Sequence, residues 1–327
     1  MSASRTALAG ALFVALVAAG VAGRAQSPAP SNTYAPLKSA PRTLAVDGVT
    51  RNYNVYRPAS IATSAHPALV VVMHGYSGSA RQVESNYNWD DEADSGGFVV
   101  VFPNGTETSW NSGNCCATAF LQKVDDVKFL TMMVQQLEVD ERVDPSRIFF
   151  SGMSNGALMS YRMACDAKFP IAGIAPVSGT LDFACPSPQK TSLISINGRS
   201  DRMIPYDGGK KADPSSVSPD VQAWRVNLPA IEDVTAKWRA LDGCGRLAVR
   251  RDAPLTTEIA TCPGGRAVEE IAIDGAGHQW PGGKPPDAAA QGRIAALAAR
   301  GIYVDPPSTA LDATHAIWQF FSTKTSK

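Results

Sequence analysis

The pentapeptide Gly152-Met153-Ser154-Asn155-Gly156 lies directly behind the apolar run Arg147-Ile148-Phe149-Phe150 and ahead of the helix-like stretch Ala157-Leu158-Met159-Ser160-Tyr161-Arg162-Met163. A strand, a sharp turn and a helix in that order leave few folds open. The glycines on either side of the serine let the backbone turn tightly without Cβ clashes. Such a turn exposes the serine Oγ at the carboxyl end of a sheet. A serine hydroxyl is a poor nucleophile until a histidine takes its proton, and here one can reach it.

Around this turn the hydrophobic pattern alternates between two periods. Residues 66–73, 97–103, 171–177, 192–196 and 268–273 are short apolar runs that read as strands, the first two continuous enough to be covered on both faces. Residues 81–95 and the stretch behind Asp125-Asp126, with Val127, Leu130, Val134 and Leu137 at helical spacing, read as helices, as does 310–321 at the end of the chain. An Asp47-Gly48 turn between alternating segments over 42–56 signals a hairpin. Alternation of this kind predicts an α/β fold with a mostly parallel sheet and helices on both faces. Two polar or Gly/Pro-rich insertions, 203–227 and 282–307, interrupt it and are candidate walls of a substrate cleft.

The N-terminus, residues 1–25, has a basic start, an apolar stretch from Ala7 to about Val21, and small residues where a signal peptidase cuts. It is too short to span a bilayer, which takes ~20 apolar residues. Residues 26–41, rich in Ser, Pro and Ala, read as a flexible lead-in, and 42–327 as one catalytic domain. The expectation is an exported protein, periplasmic or extracellular, without stable membrane association. Lys+Arg and Asp+Glu are equal at 30 each, so no net field recruits nucleic acid. Six cysteines in an exported chain point to disulfides rather than zinc, because neither a C-x-x-C pair nor clustered histidines accompany them; no metal and no cofactor are expected. Cys165 with Cys185 and Cys244 with Cys262 would each close a local segment. Cys115 and Cys116 form a vicinal bridge or remain separate thiols.

Four histidines make the search for a base short. His66 and His74 precede the serine in a chain order that requires the base to follow it, and His315 sits within the last helix. His278 remains, in a glycine-rich loop directly after the strand 268–273. The acid belongs at the end of the preceding strand, where Asp201 would accept the Nδ1 proton of His278. Asp207 is the competitor, in a turn before Gly208-Gly209 where an aspartate is common anyway. Donors for an oxyanion are the backbone N–H groups of Asn155 and, in the loop His74-Gly75-Tyr76, of Tyr76. His74 is expected to orient that loop and, with Gly75, to approach the substrate. Trp110 and Trp280 could stack on an aromatic acid or a sugar ring.

The set His74-Gly75, Phe102-Pro103-Asn104-Gly105-Thr106, Cys115-Cys116, Val124-Asp125-Asp126-Val127, Gly152-Met153-Ser154-Asn155-Gly156, Ala175-Pro176-Val177-Ser178-Gly179, Pro205-Tyr206-Asp207-Gly208-Gly209 and Gly277-His278-Gln279-Trp280-Pro281-Gly282-Gly283 resembles the secreted polyhydroxybutyrate depolymerase and feruloyl esterase family of α/β-hydrolases. The resemblance covers nearly the whole chain after the lead-in. It implies an α/β-hydrolase fold and a serine esterase with nucleophile Ser154, acid Asp201 and base His278. Asn197-Gly198 departs from the His-Gly that many relatives carry ahead of the acid. Relatives of this kind split feruloyl or acetyl esters of polysaccharides, or polyester bonds in polyhydroxyalkanoates. With no separate granule-binding module after Lys327, soluble esters such as feruloyl oligosaccharides or hydroxyalkanoate oligomers are favoured over polymer. A serine peptidase on the same scaffold and an exported binding protein are the other readings.

Overall fold

A computed structural model describes residues 36–326. The expected signal peptide, 1–25, and lead-in residues 26–35 lie outside the described residues. The chain opens with β1 (Ala40–Val46) and β2 (Val49–Tyr56), an antiparallel pair closed at Asp47 and Gly48. Both turn residues have positive φ, 51° and 79°, as a two-residue hairpin demands. Then come β3 (Leu69–Met73), α1 (Ala80–Asn86), α2 (Trp89–Gly96), β4 (Val99–Pro103), α3 (Ala117–Leu121), α4 (Asp126–Asp140), β5 (Ile148–Met153), α5 (Asn155–Asp166), β6 (Gly173–Val177) and β7 (Ser192–Gly198). The second half adds α6 (Pro219–Arg225), α7 (Ile231–Asp242), β8 (Ala248–Asp252), β9 (Leu255–Thr261), β10 (Ala267–Ile273), α8 (Ala288–Ala298) and α9 (Ala313–Ser322).

The strands join one ten-stranded sheet in the order β1-β2-β4-β3-β5-β6-β7-β10-β9-β8. From β4 to β10 all neighbours are parallel, and antiparallel pairs extend both edges. Strands β3 to β7 are buried along their whole length, the reason their sequences read as unbroken apolar runs. Because successive side chains point to opposite faces, Phe150 enters the core under α4, α5 and α7, whereas Phe149 stacks on Phe321 of α9 at 4.4 Å between ring centroids. Each such ring, fully buried, contributes about 1.5–3 kcal/mol.

Apart from helices in stretches the sequence left unassigned, such as α7, the structure departs from the sequence expectation in two places. The helix expected over 81–95 is two, because Asn88 between α1 and α2 takes a left-handed conformation, φ 59°. The hairpin β8–β9 was not expected, since β8 is exposed along its length and has no apolar run to mark it. Among the described residues no helix is long and apolar enough to cross a membrane.

Candidate active site

The strand order turns at β3: the chain goes from β3 out to β4 on one side, then returns to place β5 on the other. Loops leaving the carboxyl ends of β3 and β5 therefore diverge and open a crevice, the usual ligand position of such sheets. Ser154 stands there, between β5 and α5, with φ 55° and ψ −121°. A positive φ is costly for a residue with a Cβ, and it is held by packing on both sides. A Cβ at Gly152 would come within 2.7 Å of the Gly156 and Met73 backbone, and one at Gly156 would collide with the Met73 carbonyl. The Ser154 N–H is itself anchored to the Val177 carbonyl of β6 at 3.0 Å.

Asp201 and His278 leave adjacent parallel strands, β7 and β10, whose ends are in register at Gly198 and Ile273. Gly198 is needed at that junction, since a Cβ would strike the Ala276 carbonyl of the histidine loop. The imidazole Nδ1 of His278 lies 2.8 Å from Asp201 Oδ2. The other oxygen, Oδ1, accepts the backbone N–H groups of Met203 and Ile204 at 2.7 and 2.8 Å, so the carboxylate is held in one orientation. Both side chains are buried, whereas Asp207 is exposed. Asn197, at the departure from the family pattern, bonds Gly179 N–H through its oxygen at 3.0 Å and Ser195 Oγ through its amide at 2.8 Å.

Gly75, Tyr76, Ser154, Asn155, His278 and Trp280 line one cavity of about 830 Å³. Gly75 lies so close to Ser154 that a Cβ there would meet Ser154 Cβ at 3.4 Å. The Asn155 side chain faces away, accepting Trp110 N–H at 2.7 Å and donating to the Trp110 carbonyl at 3.0 Å. Trp280 stacks on Tyr87 at 4.3 Å and donates its indole N–H to Thr314, so it forms a fixed wall. The loop that carries Trp110 is tied down again by Asp126, which accepts Asn111 N–H at 2.8 Å and pairs with buried Arg51 at 2.8 Å. Asp125 caps α4 by accepting Lys128 N–H.

Two residues expected at the substrate are elsewhere. His74 is wholly buried and does not reach the cavity: Nε2 accepts Gly105 N–H at 2.9 Å, which leaves Nδ1 to donate to the Gly75 carbonyl at 2.7 Å. Burial lowers its pKa to about 4, so it is a neutral brace of the loop. Trp110 is also wholly buried, with its indole N–H on the His74 carbonyl at 2.9 Å, and cannot stack on a ligand. The direction of a side chain at a strand end is set by what packs around it, which neighbouring residues in sequence do not reveal.

The far walls come from both insertions: Val221 and Trp224 from α6, Ile294 and Leu297 from α8, with Leu121 and Leu158 from below. Cys115 and Cys116 also line the cavity and are disulfide-bonded to each other; Cys165–Cys185 and Cys244–Cys262 are the other two bridges. Sequence reasoning assigns no role to two supporting residues. Ser178, in the turn after β6, donates to the Gln279 carbonyl at 2.8 Å and so ties the histidine loop to the strand beside the one that leads into Ser154. Asp305 accepts the backbone N–H of His278 at 2.7 Å.

Residues 59–218 match the Phospholipase/Carboxylesterase family profile. The chain is 29% identical over 257 residues to NocK of Nocardia uniformis subsp. tsuyamanensis, named as an esterase, with 75% of each chain covered. It is 27% identical over 240 residues to feruloyl esterase B of Piromyces equi, covering 69% of this chain and 42% of that one. An acetyl xylan esterase from Aspergillus awamori shares the fold, with a TM-score of 0.52 at 15% identity over 73% of this chain and 94% of the other.

Proposed function

We propose that this chain, a carboxylic ester hydrolase of the α/β-hydrolase fold, belongs with the feruloyl esterases and polyhydroxyalkanoate depolymerases it is similar to, and that it works through a Ser154-His278-Asp201 triad. The observation that carries this reading is the 2.8 Å bond from His278 Nδ1 to a buried Asp201, at a cavity that Ser154 also lines. With Nδ1–H donated to Asp201, Nε2 is the basic nitrogen. It takes the Ser154 proton as Oγ attacks the ester carbonyl. The negative charge then formed on the carbonyl oxygen is met by the N–H groups of Asn155 and Tyr76. Collapse expels the alcohol, protonated by the imidazolium, and leaves an acyl-serine. Water, activated by the same imidazole, releases the acid.

The substrate reading is a soluble ester with an apolar or aromatic acyl group, such as a feruloyl oligosaccharide or a hydroxyalkanoate oligomer. Its support is a cavity walled by Trp224, Leu297 and other apolar side chains from two insertions. Export is part of the proposal, supported by the three disulfides. Purified mature protein is expected to hydrolyse short-chain p-nitrophenyl esters, and Ser154→Ala and His278→Ala to lose about 10⁴-fold or more in kcat with the circular dichroism spectrum kept. Full activity in either variant rejects the triad. Methyl ferulate, acetylated xylan and a hydroxybutyrate trimer, assayed side by side, separate the substrate classes.

A further inference from the structure

We propose that Asp305 is a positioning residue for catalysis, which locks the backbone of His278 to the cover built by the 282–307 insertion. The inference rests on His278 being the base. Asp305 takes up both backbone polar groups of that histidine: its Oδ2 accepts His278 N–H at 2.7 Å, and its own N–H donates to the His278 carbonyl at 2.8 Å. Its remaining oxygen, Oδ1, pairs with Arg202 at 3.3 Å, and Arg202 is the residue after the acid Asp201. The Arg202 guanidinium lies over the Tyr303 ring at 3.9 Å, two residues before Asp305. The acid loop, the base loop and the returning segment of the cover are thus closed onto one carboxylate. Gly277 completes the fit, because a Cβ there would collide with the Asp305 carboxylate.

The hydrogen bond from Nδ1 to Asp201 orients the ring, but it does not hold the main chain that carries the ring. That task falls to Asp305. His278 is 3% exposed, so without the carboxylate its N–H is buried without a partner, and the loop must shift to reach water. A displacement of about 1 Å in a reacting group costs on the order of 100-fold in rate. What Asp305 supplies here is an acceptor at a fixed position, and a neutral amide oxygen can supply it too.

The test measures kcat and KM on p-nitrophenyl acetate, with thermal midpoints recorded alongside. Asp305→Ala is expected to lower kcat about 10- to 100-fold while KM moves less than about 3-fold, and Asp305→Asn to restore kcat to within about 5-fold of the parent. Gly277→Ala, which displaces the carboxylate without removing it, is expected to cost at least about 10-fold alone and little in the Asp305→Ala background, a non-additive pair. Asp305→Ala within 2-fold of the parent overturns the proposal, and so does Asp305→Asn as slow as the alanine variant, or Gly277→Ala equally costly in both backgrounds. Should Asp305→Ala fail to fold, the asparagine and Gly277 variants decide alone. His278→Ala at full rate would instead remove the base assignment, so the two failures are distinct.

Discussion

The Ser154 turn and the cover over it are built on opposite principles. Around Ser154, β3, β5 and most of α5 are buried, and the glycines at 152 and 156 are there because backbone occupies the space a Cβ would need. In the cover, α8 has no buried residue recorded along its length, and a Cβ added at Gly292 would meet nothing within 4 Å. The first region must hold reacting groups to fractions of an ångström and tolerates no added atom. The second shapes the space beyond them, where a change of side chain alters what fits without moving the chemistry. On the proposed function, reaction and selectivity are thus separated in the fold, and they touch at His278.

Substitutions can break this contrast or sharpen it. The largest effect is expected at Gly156→Ala, where the new methyl faces the Met73 carbonyl: a loss of about 3 kcal/mol, seen as a fall in thermal midpoint of roughly 6–12 °C, or no folded protein at all. An unchanged midpoint would mean that the turn is looser than described.

Next comes acid sensitivity in the loop behind it. His74 is neutral in the fold down to about pH 4 and ordinary at 6.5 when unfolded. Between those values the unfolded chain binds more protons, so its stabilising contribution is complete above pH 6.5 and is lost as pH falls toward 4, on the order of 3 kcal/mol in all. Asp90 and Asp182, each pushed up to about 7 by burial, act in the opposite sense, so the ring itself is the readout. Of the four histidines, one should remain neutral to about pH 4 in ¹⁵N-resolved imidazole spectra. Four rings titrating together near the ordinary value would show that water reaches the loop.

The smallest effect is on the other side of the contrast. Gly292→Ala in α8 is expected to stabilise the protein by about 0.5–1 kcal/mol through helix propensity, and to leave p-nitrophenyl acetate turnover unchanged. A destabilised or inactive variant would mean that the cover is packed as tightly as the turn.

The parts of this fold that could be read in the amino-acid order are those whose cause is local. Buried parallel strands show as apolar runs, the Asp47-Gly48 turn as an alternating pair around two permissive residues, and the serine turn as glycines where backbone crowds backbone. What stayed hidden depends on partners distant along the chain. Asp305 matters because it meets His278, and Ser178 because it meets Gln279. His74 and Trp110 illustrate the same limit from the other direction. His74 was expected at the substrate for its place beside Gly75 and Trp110 for its aromatic ring, yet each side chain turns inward to satisfy a backbone group.

Asp201 and His278 stand 77 residues apart and meet only when β10 docks against β7, with the exposed β8 hairpin strand at the outer edge. Closing so long a loop is entropically unfavourable, and the docking of β10 on β7 under α7 is what offsets it. The Asp201–His278 contact therefore exists only where that strand pairing does, and fraying of the β7–β10 seam would separate the two side chains while β3, β4 and β5 stay paired.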